Sequence, residues 1–317
     1  MLTLSDIREA RSAIADRIHR TPLLSSAALG ARTGLTCFIK AESLQKTGAF
    51  KVRGALNKVR RLTAEEKARG LVTVSAGNHA QGVAYAAAAA GAACTVVMPE
   101  GASRSKVAAS EGYGARVVLH GTVTDAFARC EELRREHGYT FVHPFDDPDI
   151  MAGQGTIGLE IVEDLPDVDA VIAPVGGGGL LSGTAAALKA VRPEVRIFGV
   201  EPTGAAGLHA ALRAGGVVRL ERIDTVADGL TAPQTGEHVL EHVRALVDDV
   251  VLVEDAEIIE ALRFLLERTK LMVEPAGAAA VAALLAGKIR LPSGARVVAI
   301  ASGGNVDLAR LRELLPG

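Results

Sequence analysis

The segment PVGGGGLLSG contains four consecutive glycines, Gly176, Gly177, Gly178 and Gly179, between an apolar run and a helix-like stretch. Glycine leaves backbone N–H groups accessible to a phosphate, and a helix N-terminus adds a favourable dipole. Because neither a G-x-G-x-x-G register nor a G-K-[ST] ending is present, we predict a site for a compact phosphate monoester and not for a nucleotide. The glycines alone would also suit a tight or flexible turn.

A second candidate for chemistry is Lys51, which follows a Thr-Gly-Ala-Phe turn and begins a predicted helix. Near a helix N-terminus and a phosphate-bearing ligand, desolvation and positive neighbours would favour its neutral amine or a Schiff base. Without that context, a solvated lysine on a helix surface is the more common situation. The role of Lys51 therefore depends on its neighbours.

Two further turns, SAGNHAQG at 75–82 and ASGGNVD at 301–307, each follow an apolar run. Ligands of open α/β sheets bind at the carboxyl ends of strands, where these turns would lie. Ser75, Asn78 and the backbone N–H groups of the first turn suit a carboxylate. Ser302 offers a neutral hydroxyl, with glycines that allow a planar ligand to approach. Serine, glycine and asparagine are also ordinary helix caps.

The elements that would position these residues are visible as apolar runs, rich in valine and isoleucine, that alternate with helical patterns. Parallel strands covered by helices on both faces show this alternation, so we predict an α/β fold. The predicted strands are 71–75, 95–99, 115–120, 169–176, 196–202 and 295–302. Thr63 and Glu66 have capping-box spacing, and 254–270 has helical periodicity with acidic residues first and basic residues last.

We interpret the chain as two α/β domains, each with a mainly parallel open sheet flanked by helices. Residues 66–145 hold several strand–helix alternations and are predicted as the smaller domain. Residues 1–65 and 146–317 would form the larger one. The uncharged stretch 70–99 contains polar residues and glycines, which favours a strand, turn, helix and second strand over a membrane span.

Composition excludes several classes of function. The 317 residues include 35 basic and 37 acidic ones, for a net charge of −2, and no basic stripe that would bind nucleic acid. The N-terminus lacks the features of a signal peptide, and Cys37, Cys94 and Cys130 are too few for a disulfide framework or zinc motif. We therefore expect a cytoplasmic protein that binds neither nucleic acid nor membranes.

Together, the four motifs resemble those of the fold-type II pyridoxal-phosphate enzymes, which have the tryptophan synthase β-like fold. The resemblance is greatest to their threonine and serine dehydratases (ammonia-lyases) and runs from about Arg20 to Leu311, with the motifs in the family's order. It implies a large cofactor-binding domain, a small substrate-side domain and assembly as a homodimer or homotetramer. It also implies β-elimination with pyridoxal phosphate, which deaminates L-threonine to 2-oxobutanoate and L-serine to pyruvate.

The resemblance assigns roles around the cofactor. Lys51 would carry pyridoxal phosphate and remove the Cα proton, with Phe50 packed beside the ring. Asn78 would face the pyridine 3-oxygen, and the glycine loop 176–179 would hold the phosphate. Ser302 would meet the pyridine nitrogen, where a neutral hydroxyl makes the ring a weaker electron sink and favours loss of a β-hydroxyl over transamination.

Further roles follow from weaker matches. Gly229 matches a glycine of the pocket wall, and Glu274 matches a glutamate near the cofactor ring. The amino-acid substrate would contact the turn made of Ser75, Ala76, Gly77, Asn78 and His79. These residues complete the predicted site.

Particular residues argue against three alternative functions. Serine racemases of this fold carry a serine where this chain has Ala76, and a methyl group cannot donate a proton, which argues against racemisation. Cysteine synthases have a different sequence after the lysine, where this chain has Val52 and Arg53. A non-catalytic amino-acid-binding protein is the third alternative, and the presence of Lys51 argues against it.

A divalent-cation site is also implied for some relatives, through the glutamate of a V-E-P segment and an aspartate a few residues later. Glu201 matches the glutamate, but the aspartate position falls near Ala206 and Gly207. We therefore predict no metal. Glu201 is interpreted either as a remnant of such a site or as a solvated acid after a strand.

Overall fold

The computed structural model describes residues 1–315 as ten β-strands and fourteen α-helices. The strands are β1 (Leu23–Ser25), β2 (Thr36–Lys40), β3 (Leu71–Val74), β4 (Cys94–Met98), β5 (Arg116–Leu119), β6 (Thr140–Phe141), β7 (Ala170–Pro174), β8 (Arg196–Pro202), β9 (Asp249–Val253) and β10 (Arg296–Ile300). The helices are α1 (Leu4–Ile14), α2 (Ala27–Thr33), α3 (Lys51–Arg61), α4 (Ala64–Arg69), α5 (Asn78–Ala89), α6 (Arg104–Gly112), α7 (Val123–His137), α8 (Pro148–Asp164), α9 (Gly179–Val191), α10 (Gly207–Ala214), α11 (Glu237–Leu246), α12 (Asp255–Phe264), α13 (Pro275–Leu285) and α14 (Leu308–Leu314).

The strands form two sheets. The larger has the order β1-β2-β10-β7-β8-β9, and within it β1 pairs antiparallel to β2 while the other pairs are parallel. The smaller has the order β5-β4-β3-β6 and is parallel throughout. The predicted α/β fold with mainly parallel sheets is confirmed.

Strand β7 shows how the larger sheet is buried on both faces. Side chains alternate between the two faces of a strand. Ile172 packs in the cluster with α12 and α13, whereas its neighbours Val171 and Ala173 pack in the cluster with α8 and α9. The alanine-rich α13 lies against β7, β8, β9 and β10, as expected for a tightly packed helix.

All six predicted strands are present, as β3, β4, β5, β7, β8 and β10. The sequence did not reveal β1, β2, β6 and β9. Strands β1 and β6 have only three and two residues, too few to show a pattern. The uncharged stretch 70–99 forms β3, α5 and β4, and within residues 1–315 no helix is both long and apolar enough to cross a membrane.

The predicted helix boundaries are largely confirmed. Glu66 N donates to Thr63 Oγ1 at 3.1 Å, and Thr63 N donates to Glu66 Oε2 at 2.7 Å, which completes the capping box of α4. The helix predicted over 254–270 is α12, followed by a wider π-helical turn over Leu265–Thr269. It ends at Lys270, where φ is +61°.

The smaller sheet lies wholly within residues 66–145, the segment predicted as the small domain. The first boundary, between residues 65 and 66, falls inside α4, so a division before Thr63 would leave that helix intact. Helix α3 packs against both α5, next to the smaller sheet, and α8, next to the larger one. The division into domains stays a prediction.

Candidate active site

Lys51 is the first residue of α3, at the end of a turn held by backbone pairing. Residues 48–50 run antiparallel to residues 302–304, with backbone hydrogen bonds of 2.8 and 3.1 Å between them. Gly48 has φ of +73°, a conformation that other residues rarely adopt. The end of β10 thus positions the turn that presents the lysine.

The Lys51 amine is partly buried. Its Nζ donates to the Pro144 carbonyl oxygen at 2.8 Å and lies 5.3 Å from the centroid of the Phe50 ring. Burial lowers the pKa of Lys51 to about 8, and the Glu274 carboxylate opposes that shift only in part. The alternative of a solvated surface lysine is therefore wrong. The expectation of positive neighbours is also wrong, because the charged group that acts on this amine is an acid.

The glycine loop connects β7 to α9. Gly178 is the N-cap of α9 and has φ of +95°. Within residues 1–315, the N–H groups of Gly176, Gly177, Gly178 and Gly179 have no protein acceptor. The loop therefore presents unpaired donors at the positive end of a helix dipole, which is the arrangement that binds phosphate.

Phe145 brings the loop and the lysine together. A Cβ on Gly177 would overlap the Phe145 ring, and one on Gly179 would lie 2.8 Å from the Phe145 carbonyl oxygen. Phe145 follows Pro144, whose carbonyl accepts the Lys51 hydrogen bond. The amine and the glycine loop thus meet at two adjacent residues.

Asn78, the first residue of α5, lies between a carboxylate and a second amide. Its Nδ2 donates to Glu274 Oε1 at 2.6 Å, and its Oδ1 accepts from Asn305 Nδ2 at 2.8 Å. Three segments distant in sequence meet at this amide. Both of its polar atoms have partners that constrain its direction.

Glu274 is the N-cap of α13 and its side chain is buried. Burial raises the pKa of Glu274 to about 7, although the hydrogen bond from Asn78 acts in the opposite direction. A Cβ on Gly303 would lie 2.5 Å from Glu274 Oε1, and one on Gly229 would lie 3.5 Å from the same atom. The two glycines leave room beside the carboxyl group.

Ser302 comes directly after the buried strand β10 and is 3% exposed. Its carbonyl oxygen accepts from Phe50 N at 3.1 Å. Its hydroxyl has no hydrogen-bond partner in the part of the chain that the structure describes. The hydroxyl therefore remains available to a ligand next to the lysine turn.

A cleft of about 170 Å³ opens beside this cluster. Gly229, Glu274 and Asn305 line it, together with Lys106 and Asp228, whose side chains are 3.5 Å apart. A wider groove of about 570 Å³ lies elsewhere, around α10, and contains none of the predicted site residues. Asn78 contacts the first region through its hydrogen bonds with Glu274 and Asn305, which both line the cleft.

Comparison with known proteins places this arrangement in a family. Residues 14–303 match the family model of the pyridoxal-phosphate dependent enzymes. The chain belongs to this family. It is 46% identical to the L-threonine ammonia-lyase of Thermotoga maritima, over 99% of this chain and 78% of the relative. The structure is similar to that of maize serine racemase (TM-score 0.94, 39% identity, 98% and 96% of the two chains) and to that of a threonine deaminase from T.th. (TM-score 0.91, 44% identity, 97% and 99%).

Family membership confirms the predicted type II fold and pyridoxal phosphate as the cofactor. The residues present fit this group. The glycine loop has four N–H groups without protein acceptors that can bind a phosphate, and Lys51 has an amine whose pKa burial lowers to about 8. Ser302 supplies an unpaired hydroxyl, and Asn78 supplies an amide N–H beside the same cleft. These individual roles stay predictions that the geometry supports.

The predicted substrate turn ends β3 and begins α5. Ser75 Oγ accepts from Gly77 N at 3.2 Å, Ala76 is partly buried, and a Cβ on Gly77 would meet no atom within 4 Å. His79 behaves differently, because its ring is buried with Nε2 3.0 Å from the Val142 carbonyl oxygen. Burial lowers the pKa of His79 to about 3. Its imidazole faces the interior, so only its backbone N–H remains for the predicted substrate contact.

Glu201 is fully buried at the end of β8. Its carboxylate oxygens accept from the N–H groups of Leu208 and His209, each at 2.8 Å, at the start of α10. Burial raises the pKa of Glu201 to about 7. The alternative of a solvated acid is therefore wrong, because Glu201 binds a helix N-terminus. Within residues 1–315, no cluster of three His, Cys, Asp or Glu side chains could hold a metal ion.

Sequence reasoning missed three residues of this site, namely Asn305, Pro144 and Phe145. Asn305 lies inside the motif ASGGNVD, and a polar side chain three positions after Ser302 at a strand end was a usable signal. Pro144 contributes a carbonyl oxygen and Phe145 a ring that packs on glycines. Neither contribution has a side-chain pattern that a sequence would show.

Proposed function

We propose that this enzyme is an ammonia-lyase that converts L-threonine to 2-oxobutanoate and ammonia, and L-serine to pyruvate and ammonia. The observation that carries the proposal is the Lys51 amine, held at the Pro144 carbonyl with a pKa of about 8 beside the glycine loop. The 46% identity to an L-threonine ammonia-lyase over almost the whole chain supports the choice of substrate.

Each group of the site has a part in this reaction. When bound, pyridoxal phosphate withdraws electrons from the Cα atom of the amino acid attached to it. Lys51 would hold the cofactor and would accept the Cα proton, because a base with a pKa near the working pH is the most effective one. The glycine loop 176–179 would hold the phosphate, and Asn78 would offer an N–H to the 3-oxygen of the ring. Ser302 would offer a neutral hydroxyl to the ring nitrogen.

The carboxylate of the substrate would bind at the turn that starts α5. Backbone N–H groups at a helix N-terminus attract an anion, and the space beside Gly77 is open. Ser75 Oγ holds the turn through its hydrogen bond from Gly77 N.

A substrate panel tests the proposed reaction. The purified holoenzyme is incubated with L-threonine, L-serine and other β-hydroxy amino acids, and release of ammonia and 2-oxo acid is measured. We expect both products in equal amounts, with the highest kcat/KM for L-threonine. Absence of 2-oxo acid from every β-hydroxy amino acid would refute the ammonia-lyase proposal.

A serine racemase is the second candidate, and the TM-score of 0.94 with maize serine racemase favours it. Ala76 opposes it, because a one-sided site with Lys51 as its base has no proton donor for the opposite face at that position. Incubation with L-serine followed by chiral chromatography separates the two. We expect pyruvate with D-serine below about 1% of product, and abundant D-serine would establish the racemase instead.

We also propose that the enzyme is a cytoplasmic homodimer or homotetramer. The resemblance to the dehydratases of this family, which commonly assemble as dimers or tetramers, supports self-association. Cys37, Cys94 and Cys130 are all free and buried, as suits a reducing compartment. Light scattering coupled to size exclusion measures the assembly, and cell fractionation measures the location.

A further inference from the structure

We propose that Asn305 is a positioning residue that orients the Asn78 amide, so that Asn78 presents an N–H and not its carbonyl oxygen to the cofactor ring. The inference deepens the proposed function and rests on the role given there to Asn78. Asn305 acts through another side chain and is not itself a catalytic residue.

The two sides of the Asn78 amide have partners of opposite kind, a hydrogen-bond acceptor on one side and a donor on the other. Glu274 Oε1 accepts from Asn78 Nδ2 at 2.6 Å, and Asn305 Nδ2 donates to Asn78 Oδ1 at 2.8 Å. A rotation of the amide by 180° would set oxygen against oxygen at Glu274 and N–H against N–H at Asn305. Both hydrogen bonds would be lost together.

Glu274 alone cannot hold the Asn78 amide in this orientation. Its pKa of about 7 means that the carboxyl group gains a proton near neutral pH. A protonated carboxyl group can donate as well as accept, so it would tolerate Asn78 in either direction. Asn305 Nδ2 has only donors at every pH, and it therefore selects the same direction in both states of Glu274.

Asn305 is itself held in place by the turn before Lys51. The second hydrogen of its Nδ2 is donated to the Thr47 carbonyl oxygen at 2.7 Å. A Cβ on Gly48 would overlap Asn305 Oδ1, and the φ of +73° at that position favours glycine. Thr47 and Gly48 belong to the turn that presents Lys51. Asn305 thus connects the direction of the Asn78 amide to the position of the lysine.

The test replaces Asn305 with aspartate, which has nearly the same shape but no donor. In Asn305→Asp, an acceptor faces Asn78 Oδ1, so the amide turns and its N–H no longer points at the ring oxygen. A donor stabilises the more negative form of that oxygen, so its loss raises the midpoint pH of the visible absorption of the bound cofactor, by about one unit. We also expect a decrease in kcat/KM of about tenfold.

A matched control separates orientation from packing. Asn57 is buried on α3 and also donates from Nδ2 to a backbone carbonyl, that of Asp149, at 2.6 Å. We expect Asn57→Asp to lower the melting temperature without moving the absorption midpoint. Equal shifts in both variants would mean that general loss of packing causes the effect, and the proposal would fall.

A second variant and the absorption titration also test the role of Asn305. If Asn305→Asp does not fold, Asn305→Ala removes the donor without adding charge and should shift the midpoint in the same direction. An unchanged midpoint in a folded Asn305 variant overturns the proposal. The absorption titration requires bound cofactor but no turnover, so failure to deaminate L-threonine would overturn the proposed function and leave this inference standing.

Discussion

Two polar clusters lie on opposite sides of α3. In one cluster the ionisable side chains hydrogen-bond to neutral groups, and in the other they form ion pairs. Lys51 begins the helix, and Arg53 follows two residues later, about 200° around the helix axis. At the active site, Lys51 donates to a neutral carbonyl and Glu274 accepts from a neutral amide. On the other side, Arg53 is surrounded by carboxylates.

The second cluster joins two cations to two carboxylates in the interior. Arg53 donates to Glu42 at 2.8 and 2.9 Å and to Glu160 at 2.7 and 3.0 Å. Lys40 Nζ lies 2.6 Å from Glu160, and all four side chains are buried. The planar guanidinium forms a bidentate pair with each carboxylate. This buried charge network connects α3 to α8 and β2.

The difference shows that pairing decides what a buried ionisable group can do. In the network, Arg53 and Lys40 lower the pKa of Glu160 despite its burial, so its charge is fixed at neutral pH. In the active site, burial moves the pKa of Lys51 to about 8 and that of Glu274 to about 7. Groups of that second kind exchange protons near neutral pH, which catalysis requires.

The largest expected effect is on activity. Lys51→Ala should reduce 2-oxo acid formation from L-threonine by at least about 10³-fold, because the base is removed. Its melting temperature in the cofactor-free protein should change little, since the amine makes no ion pair in the described structure. Lys46→Ala, an exposed lysine near the same turn, is the control and should retain activity. Turnover by Lys51→Ala at the wild-type rate would remove Lys51 from its proposed role.

The next effect is on stability. Arg53→Met leaves Glu42 and Glu160 without their main counter-charge, and we expect a loss of about 3–5 kcal/mol in the free energy of unfolding, measured in urea. Arg61→Met lies on the same helix, but its ion pairs with Glu9 and Asp149 are half-exposed, so it should cost less than about 1 kcal/mol. Equal losses in the two variants would mean that the buried ion pairs of the network contribute no more to stability than half-exposed ones.

Replacing one glutamate by glutamine in each cluster should change the stability of the fold in opposite directions. In the cofactor-free protein, the folded-state pKa of Glu274 lies above its ordinary value of 4.5, so ionisation destabilises the fold as pH rises from about 4.5 to 7. Glu274→Gln removes that cost and should stabilise the protein above pH 7, by up to about 3 kcal/mol. Thermal unfolding between pH 5 and pH 8 measures the difference.

Glu160→Gln should do the reverse. Its folded-state pKa is lowered, so the stability it contributes is present above 4.5 and is lost as pH falls through the folded-state pKa. Replacement by glutamine leaves Arg53 and Lys40 with one carboxylate fewer and should cost about 2–3 kcal/mol at pH 8. If both glutamine variants changed stability in the same direction, pairing would not be what distinguishes the clusters.

The sequence predicted the local parts of this site better than its long-range contacts. The glycine loop and the turn that begins α3 were recognisable because glycine conformation and turn residues are encoded over a few residues. The inward direction of His79 and the burial of Glu201 depend on β6 and α10, which approach from distant parts of the chain. Chain-distant partners leave no local pattern, so the contact of Asn305 with Asn78 could not be read from the sequence, although the motif that contains Asn305 could.

The smallest effect tests whether the two clusters are independent. Thr156 Oγ1 accepts from Arg53 Nη1 at 3.1 Å and donates to the Gly153 carbonyl oxygen at 2.7 Å. Thr156→Val keeps the shape of the side chain but removes both bonds, and we expect a loss of about 1 kcal/mol in urea unfolding. Arg53 keeps both carboxylates, so α3 should not move. The pH dependence of kcat/KM should therefore remain that of the wild type, and a shift would show that the network reaches Lys51 through the helix.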